Sequence, residues 1–159
     1  MEPTLNFIEL DNYCYKYNIS KRLLYDVRFW DIMLGEGCFD IDFLKEEFQN
    51  EKNKIVIAYD NNDSKINNIE GVLIYRKVKN KNLYIIGLMA KKYESKYSWY
   101  GKKVLKFLKT TLKPKSSIIL LDDTDIPNYY IKLGFSLKNK KKYRKIMDND
   151  HYDIYKKTL

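Results

Sequence analysis

Cysteine, proline, glycine and histidine are scarce in this sequence of 159 residues, which contains two, three, six and one of them respectively. Cys14 and Cys38 are too few and too far apart for a disulfide framework or a zinc site. The apolar stretches are much shorter than the ~20 residues of a membrane span, and the first residues lack the pattern of a secretory signal. We therefore expect a cytoplasmic protein in a reducing setting, without a membrane anchor and without a bound metal.

Charge is unevenly distributed along the chain. Residues 1–53 carry 6 basic and 11 acidic side chains, whereas residues 54–159 carry 24 basic and 10 acidic ones. The net charge is +9, and lysine supplies most of it. An AT-rich genome would also favour lysine, so codon usage, an anionic ligand and nucleic acid all remain open as explanations. No known nucleic-acid-binding motif accompanies the charge.

The spacing of apolar residues predicts one α/β domain over residues 1–159. Apolar residues make up 45% of the chain, which is enough for a core of its own, and the length is that of a single domain. Runs and alternations of apolar residues predict strands, and apolar residues at helical spacing predict helices. The first half is predicted to contain strand Leu5–Leu10, helices Ser20–Leu34 and Phe43–Phe48, and strands Lys54–Tyr59, Asn68–Arg76 and Leu83–Ala90.

The second half alternates helices with strands. The predicted elements are helix Trp99–Leu112, strand Ser117–Leu121, helix Asp125–Leu133 and strands Lys142–Met147 and Tyr152–Lys157. Because helix Trp99–Leu112 connects two strands, those strands should be parallel. The remaining strands should pair as hairpins. We therefore expect a mixed, mostly antiparallel sheet of six to seven strands with helices on both faces.

The segment Tyr130-Ile131-Lys132-Leu133-Gly134-Phe135 follows the fifth strand of that order. A Tyr-x-x-Leu-Gly-Phe ending at this place, together with the element order, resembles the GNAT superfamily of acyl-CoA-dependent N-acyltransferases. The resemblance implies that the fourth and fifth strands splay apart. It also implies that acetyl-CoA is the acyl donor and that a primary amine is the acceptor, either a protein lysine or N-terminus or a small cationic amine.

The family usually carries Gln/Arg-x-x-Gly-x-Gly/Ala before the helix that follows its fourth strand. One register places Ser98 at the Gln/Arg position, Gly101 at the first glycine and Lys103 at the second small position. A register three residues earlier places Ser95, Ser98 and Tyr100 at these positions. Backbone amides at a helix N-terminus bind phosphates, and glycine allows close approach. The resemblance implies a donor site that consists of the main chain of Leu88, Met89 and Ala90 and of Lys96, Ser98, Gly101, Lys102 and Lys103.

One catalytic candidate comes from the resemblance, and the others come from their positions in the chain. Tyr130 aligns with the tyrosine that protonates the leaving thiolate in many family members, and a tyrosine stays protonated at neutral pH. Asp122, at the end of the fifth strand, is the candidate general base, with Glu70 and Glu36 as further candidates. The family forms its acceptor site largely from the helical pair, where Glu36 and Asp40 would favour a cationic amine.

Three functions remain open from sequence alone. The first is an active N-acetyltransferase. The second is a GNAT-like binding or structural module without catalysis, which the incomplete glycine pattern and the lack of an evident base would explain. The third is a nucleic-acid-binding protein, which rests on the basic half of the chain. A homodimer also remains open.

Overall fold

The computed structural model describes residues 5–9, 46–47, 49–60, 69–91, 100–122, 128–147 and 153–159. At seven of these positions it describes the backbone alone: Asp60, Ile69, Leu88, Ala90, Lys91, Tyr100 and Asp122. The predicted helix Ser20–Leu34 lies outside the described residues. Of the predicted helix Phe43–Phe48, Glu46 and Glu47 are helical, and so is Gln49 beyond it.

The described strands form one mixed sheet. They are β1 (Leu5–Glu9), β2 (Lys54–Asp60), β3 (Ile69–Lys77), β4 (Leu83–Lys91), β5 (Ser117–Asp122), β6 (Ser136–Lys138) and β7 (Asp153–Thr158). Their order in the sheet is β1-β2-β3-β4-β5-β7-β6. β4 and β5 pair in parallel, whereas β1 with β2, β2 with β3, β5 with β7 and β6 with β7 pair antiparallel. The predicted mixed, mostly antiparallel sheet is confirmed.

Three further helices have described boundaries. They are α1 (Tyr100–Thr111), α2 (Tyr129–Lys132) and α3 (Lys140–Met147). Neighbouring residues of a strand point to opposite faces of the sheet. Ile154 of β7 lies in a core cluster with Tyr143 of α3, and the next residue, Tyr155, contacts the ring of Tyr130 on α2. Helices therefore cover both faces of the sheet, as predicted.

The predicted strand Lys142–Met147 is wrong, because these residues belong to α3. Tyr143, Ile146 and Met147 are spaced three and four residues apart, and all three join the same core cluster, which is the pattern of a helix face. The sixth strand is instead β6, in which every residue is exposed. A short strand with no buried residue has no alternation of apolar and polar residues by which it could be predicted.

The predicted helix Asp125–Leu133 begins later than expected. Asn128 has the left-handed φ of 59°, so the helix begins at Tyr129. Gly134 ends it as predicted, with a φ of 93°. The N–H of Phe135 donates to the carbonyl of Tyr130 at 3.0 Å and that of Gly134 to Ile131 at 3.0 Å, which is the hydrogen-bond pattern of a Schellman ending.

The chain divides into two compact units by its internal contacts. Unit 1 consists of Met1–Tyr75 and Leu88–Tyr100, and unit 2 of Arg76–Gly87 and Gly101–Leu159. β3, β4 and α1 therefore contribute residues to both units. The single-domain organisation of residues 1–159 remains a proposal.

Unit 1 is built around two central strands that are buried on both faces. Ile55–Ala58 of β2 and Val72–Tyr75 of β3 are at most 1% exposed, so these strands are continuous apolar runs, as expected when both faces are covered. The Tyr75 hydroxyl donates a hydrogen bond to the Glu9 carboxylate across β2. The buried Asn53 amide donates to the carbonyl and the carboxylate of Glu47, at 2.9 and 2.8 Å.

Unit 2 is joined at the beginning of its parallel strands by buried polar contacts. The Ser116 hydroxyl, which is 0% exposed, contacts Asn82 Oδ1 at 2.9 Å. The N–H of Ser117 donates to the Asn82 carbonyl at 3.1 Å, and that of Leu159 to the Ser116 carbonyl at 2.8 Å. Because buried polar groups are costly unless they are hydrogen-bonded, these bonds fix the end of the hairpin beside the start of β5.

Gly134 is predicted to be essential for the stability of unit 2. A Cβ atom on this residue would lie 2.6 Å from Lys157 Nζ, and Nζ donates to the Leu133 carbonyl at 2.6 Å. Gly134→Ala should therefore lower the free energy of unfolding by about 1–3 kcal/mol, because it combines a strained φ with a displaced cation. Urea denaturation measures this change. Lys132→Ala, on the exposed side of α2, is the control, and equal midpoints for the two variants would contradict the prediction.

Candidate functional site

β4 and β5 form a parallel ladder that is shorter than either strand. Leu83–Ile85 pairs with Ser117–Ile119, whereas β4 continues to Lys91 and β5 to Asp122. Gly87, two positions beyond the last pair, is exposed. The described ladder therefore ends before either strand does, as expected for the splayed parallel pair that the sequence resemblance implied.

α1 follows β4 and presents one apolar and one basic face. Gly101, Val104, Leu105 and Leu108 are buried, and four lysines lie exposed between them: Lys102, Lys103, Lys106 and Lys109. The first turn contains no acidic side chain. The first amides of a helix have no partner within the helix and carry a partial positive charge. The beginning of α1 therefore suits an anion.

Gly101 also makes room for a neighbouring side chain. A Cβ atom on Gly101 would lie 2.7 Å from the Tyr129 hydroxyl oxygen and 3.1 Å from Leu133 Cδ1. A contact below 3.0 Å requires one of the groups to move, so only glycine fits here without adjustment. The sequence suggested that this glycine gives room to phosphates. The structure gives it a second reason, which is the close approach of α1 to α2.

The two adjacent tyrosines of α2 have different surroundings. Tyr130 is 6% exposed, and its ring contacts those of Phe135 and Tyr155 at centroid distances of 5.7 and 5.8 Å. Tyr129 is partly exposed and contacts Tyr130 edge-on at 5.0 Å. Burial raises the pKa of Tyr129 above its ordinary value of 10.0. Its hydroxyl therefore remains a protonated donor at neutral pH, beside the first turn of α1.

The structure describes some of the predicted site residues and not others. Gly101, Lys102 and Lys103 lie in the first turns of α1, and Gly101 is brought together with the helix that carries Tyr130. Met89 is partly buried on β4. Leu88, Ala90 and Asp122 lie at the predicted strand positions, with their backbone alone described. Lys96, Ser98, Glu36 and Asp40 lie outside the described residues.

Tyr129 is a residue that the sequence analysis did not single out. In the structure it is Tyr129 whose hydroxyl reaches the beginning of α1. A glycine in the first turn of an otherwise apolar helix face was the available signal, because such a glycine often marks a close approach between elements. Its partner cannot be read from the sequence.

Glu70, a further candidate base, is 7% exposed on β3 in unit 1.

In the described part of the chain, His, Cys, Asp and Glu side chains do not gather in groups of three or more as metal ligands require. The helices described there are also too short or too polar to cross a membrane.

Comparison with solved structures identifies the fold. Tetrahymena GCN5 superposes with a TM-score of 0.73 at 13% identity, over 97% of this chain and 96% of that one. A GNAT-family acetyltransferase from Staphylococcus aureus Mu50 gives 0.65 at 17% identity, over 98% and 99%. N-acetylglutamate synthase from Neisseria gonorrhoeae gives 0.62 at 13% identity, over 100% of this chain and 36% of that one.

These likenesses show that the chain has the fold of the GNAT acetyltransferases. No family model matches the sequence. A search of the curated proteins finds no match either.

The contact between Gly101 and Tyr129 predicts coupled mutations. Gly101→Ala alone should destabilise the protein, because the new methyl group meets the Tyr129 hydroxyl. In a Tyr129→Phe background that oxygen is absent and the contact with Leu133 Cδ1 at 3.1 Å remains, so the same substitution should be less destabilising, helped by up to about 1 kcal/mol from the better helix propensity of alanine. A double-mutant cycle of urea denaturation measures the coupling. Additive effects of the two substitutions would show that the residues do not meet.

Proposed function

We propose that the protein is an acyl-CoA-dependent N-acyltransferase that transfers an acetyl group from acetyl-CoA to a primary amine. The observation that carries this proposal is the parallel ladder that ends at Ile85 and Ile119 and is followed by the basic helix α1, in a GNAT fold. Among the structures with this fold, the Neisseria synthase and the catalytic domain of Tetrahymena GCN5 histone acetyltransferase are described as complexes with coenzyme A.

The beginning of α1 is the proposed site of the donor's pyrophosphate. The unpartnered amides of the first turn supply hydrogen bonds and partial positive charge. Lys102 and Lys103 are exposed there, and the first turn lacks an acidic side chain that would repel the ligand. Lys96 and Ser98 would complete the site from the preceding segment. Gly101 would keep the main chain accessible while it accommodates Tyr129.

The proposed reaction is direct attack by the amine. Its nitrogen forms a bond to the thioester carbonyl carbon, and the carbon–sulfur bond breaks, so that the sulfur leaves as a thiolate. Main-chain groups of Leu88–Ala90 would polarise the carbonyl oxygen. Tyr130 would give its proton to the thiolate. Asp122, at the end of β5, would take the amine proton directly or through water.

The surroundings of Tyr130 support a role as a fixed proton donor. Its ring is held by three aromatic neighbours, so the position of its hydroxyl is determined by packing. The same packing would also suit a purely structural core residue. Removal of the hydroxyl should lower turnover if Tyr130 is the proton donor and leave turnover unchanged if its role is structural.

The acceptor proposed for this reaction is a cationic amine. Glu36 and Asp40 belong to the acidic first part of the chain, residues 1–53, which has 11 acidic and 6 basic side chains. Acidic groups near an acceptor site would attract a protein lysine or N-terminus, a polyamine or an amino sugar.

A module that binds acyl-CoA without catalysis is the alternative. It is favoured by Lys103, which takes the second small position of the family's loop and is exposed on α1. A side chain there would weaken the close approach of phosphates. Binding and turnover must therefore be measured separately.

The proposed function is tested by titration with acetyl-CoA and by an acceptor screen. Acetyl-CoA should release heat at or below millimolar concentration. Lys102→Glu should weaken binding by about tenfold, or ~1.4 kcal/mol, whereas Lys109→Glu, the same charge change in the last turn of α1, should not. Coenzyme A release should be fastest with cationic amines. Absence of binding would refute the proposal, and binding without turnover of any amine would favour the module.

Tyr130→Phe should lower turnover by about 10²–10⁴-fold, the usual contribution of a general acid, and leave acetyl-CoA affinity unchanged. Tyr129→Phe is the matched control, since it removes a hydroxyl one residue away from the proposed acid. Steady-state release of coenzyme A measures the turnover of both variants. Equal turnover of Tyr130→Phe and the wild type would remove Tyr130 from the mechanism.

A further inference from the structure

The described residues of unit 2 are almost uniformly basic. Residues 76–87, 101–122, 128–147 and 153–159 contain 19 lysines and arginines but only two acidic residues, Asp122 and Asp153. Asp153 pairs with Lys140 at 3.5 Å, and both side chains are exposed. Over the whole of unit 2 the sequence has 19 lysines and arginines and six acidic residues, and such an excess of positive charge attracts polyanions.

Three segments of unit 2 that are joined by described contacts carry exposed cations, and we call them together the lysine surface: residues 77–82, residues 113–116 and α3. The first two segments are joined by hydrogen bonds of Asn82 with Ser116 and Ser117. The first and third are joined through Val78, which packs against the core cluster that contains Tyr143. Its exposed cations are Lys77, Lys79, Lys81, Lys113, Lys115, Lys141, Lys142, Arg144 and Lys145.

These cations lie on ordered backbone. The turn of the first segment is closed by the N–H of Val78 donating to the Leu83 carbonyl at 2.8 Å and by that of Lys81 donating to Val78 at 3.2 Å. In the second segment, the N–H of Ser116 donates to the Lys113 carbonyl at 3.1 Å. α3 is fixed by its apolar face. The charges are therefore presented at defined places.

The backbone conformation of Lys115 bears on whether codon usage alone explains the lysines of this surface. Its φ is 64°, a left-handed conformation that asparagine and glycine adopt more readily than lysine. The other described non-glycine residues with positive φ are Asn80 and Asn128. An AT-rich genome supplies asparagine as easily as lysine, so codon usage alone does not explain a lysine at this position.

We propose that the lysine surface binds the phosphate backbone of double-stranded nucleic acid, without reading its sequence. Lysine is a compact point charge that suits single phosphate contacts, and a duplex presents about one phosphate per 1.7 Å of its axis. Among the described residues of the lysine surface the aromatic side chain is Tyr143, which is 4% exposed and so offers no ring for stacking on bases. Single strands are bound largely through such rings, which favours a duplex.

A membrane fits the same surface less well. Helices that lie on lipid insert apolar side chains next to their cations. The large apolar side chains that are exposed in the described residues are Ile131 and Leu137, which lie on α2 and β6 and outside the lysine surface.

This binding is independent of the proposed acetyl transfer. The second segment follows the C-terminal end of α1, whereas the donor site is proposed at its N-terminal end. A helix of 12 residues spans about 18 Å. Loss of one activity therefore need not affect the other.

Fluorescence anisotropy of a labelled short duplex of random sequence tests the proposal. The test variant replaces Lys81, Lys113, Lys141 and Lys145 by glutamine. The control variant replaces Lys52, Lys54, Lys106 and Lys132, which are also exposed, and it changes the net charge equally. Between about 50 and 200 mM salt, the slope of log K against log salt should decrease by about one per contacting lysine. The slope for the test variant should therefore decrease by about four, and its affinity for the duplex should fall by about tenfold or more. The affinity of the control variant should stay within about threefold of the wild type.

Three results would overturn the proposal. The first is no binding of the duplex by the wild type. The second is an equal loss of affinity in the two variants, which would indicate net charge alone. The third is a preference of the wild type for single-stranded RNA, polyglutamate or phosphatidylserine vesicles over the duplex. Thermal unfolding of both variants checks that the substitutions leave the fold intact. Acetyl-CoA titration of the test variant should match the wild type.

Discussion

Unit 2 depends on a parallel ladder of three residue pairs, Leu83–Ile85 with Ser117–Ile119. Parallel strands require a long crossover between them, and α1 provides it. The ladder is anchored at its beginning by Asn82 and Ser116, and its described pairs end at Ile85 and Ile119. The end of the ladder and the beginning of α1 are therefore related, because β4 continues past the last described pair and precedes the helix in the chain.

Much of the fold could be predicted from the sequence, because its central strands are long and apolar. The β2 and β3 runs, the hairpin before β4 and the crossover helix were all predicted by apolar pattern and turn residues. The predicted strand Lys142–Met147 was wrong because six residues are too few to distinguish a helical period from alternation. Less of the candidate site than of the fold could be predicted from the sequence. Gly101 and Tyr129 are 28 positions apart in the sequence, and their contact depends on how two helices pack.

Gly101 and Lys103 represent two different constraints on one helix. At Gly101 the limiting group is Tyr129, inside the protein, so that position would resist substitution even without a ligand. Lys103 is exposed on the same helix. In the register that the resemblance implied, packing alone is therefore a reason to keep glycine at position 101, whether or not the reaction is retained.

The position of β7 between β5 and β6 has a consequence for biosynthesis. β6 precedes β7 in the chain but pairs only with β7 among the described strands, and Lys157 of β7 holds the carbonyl at the end of α2. While β7 is still inside the ribosome, β6 has no described partner and α2 lacks that contact. The aromatic cluster around Tyr130 includes Tyr155. Translation must therefore pass β7 before this part of the protein can be completed, which leaves the preceding segments available to chaperones during synthesis.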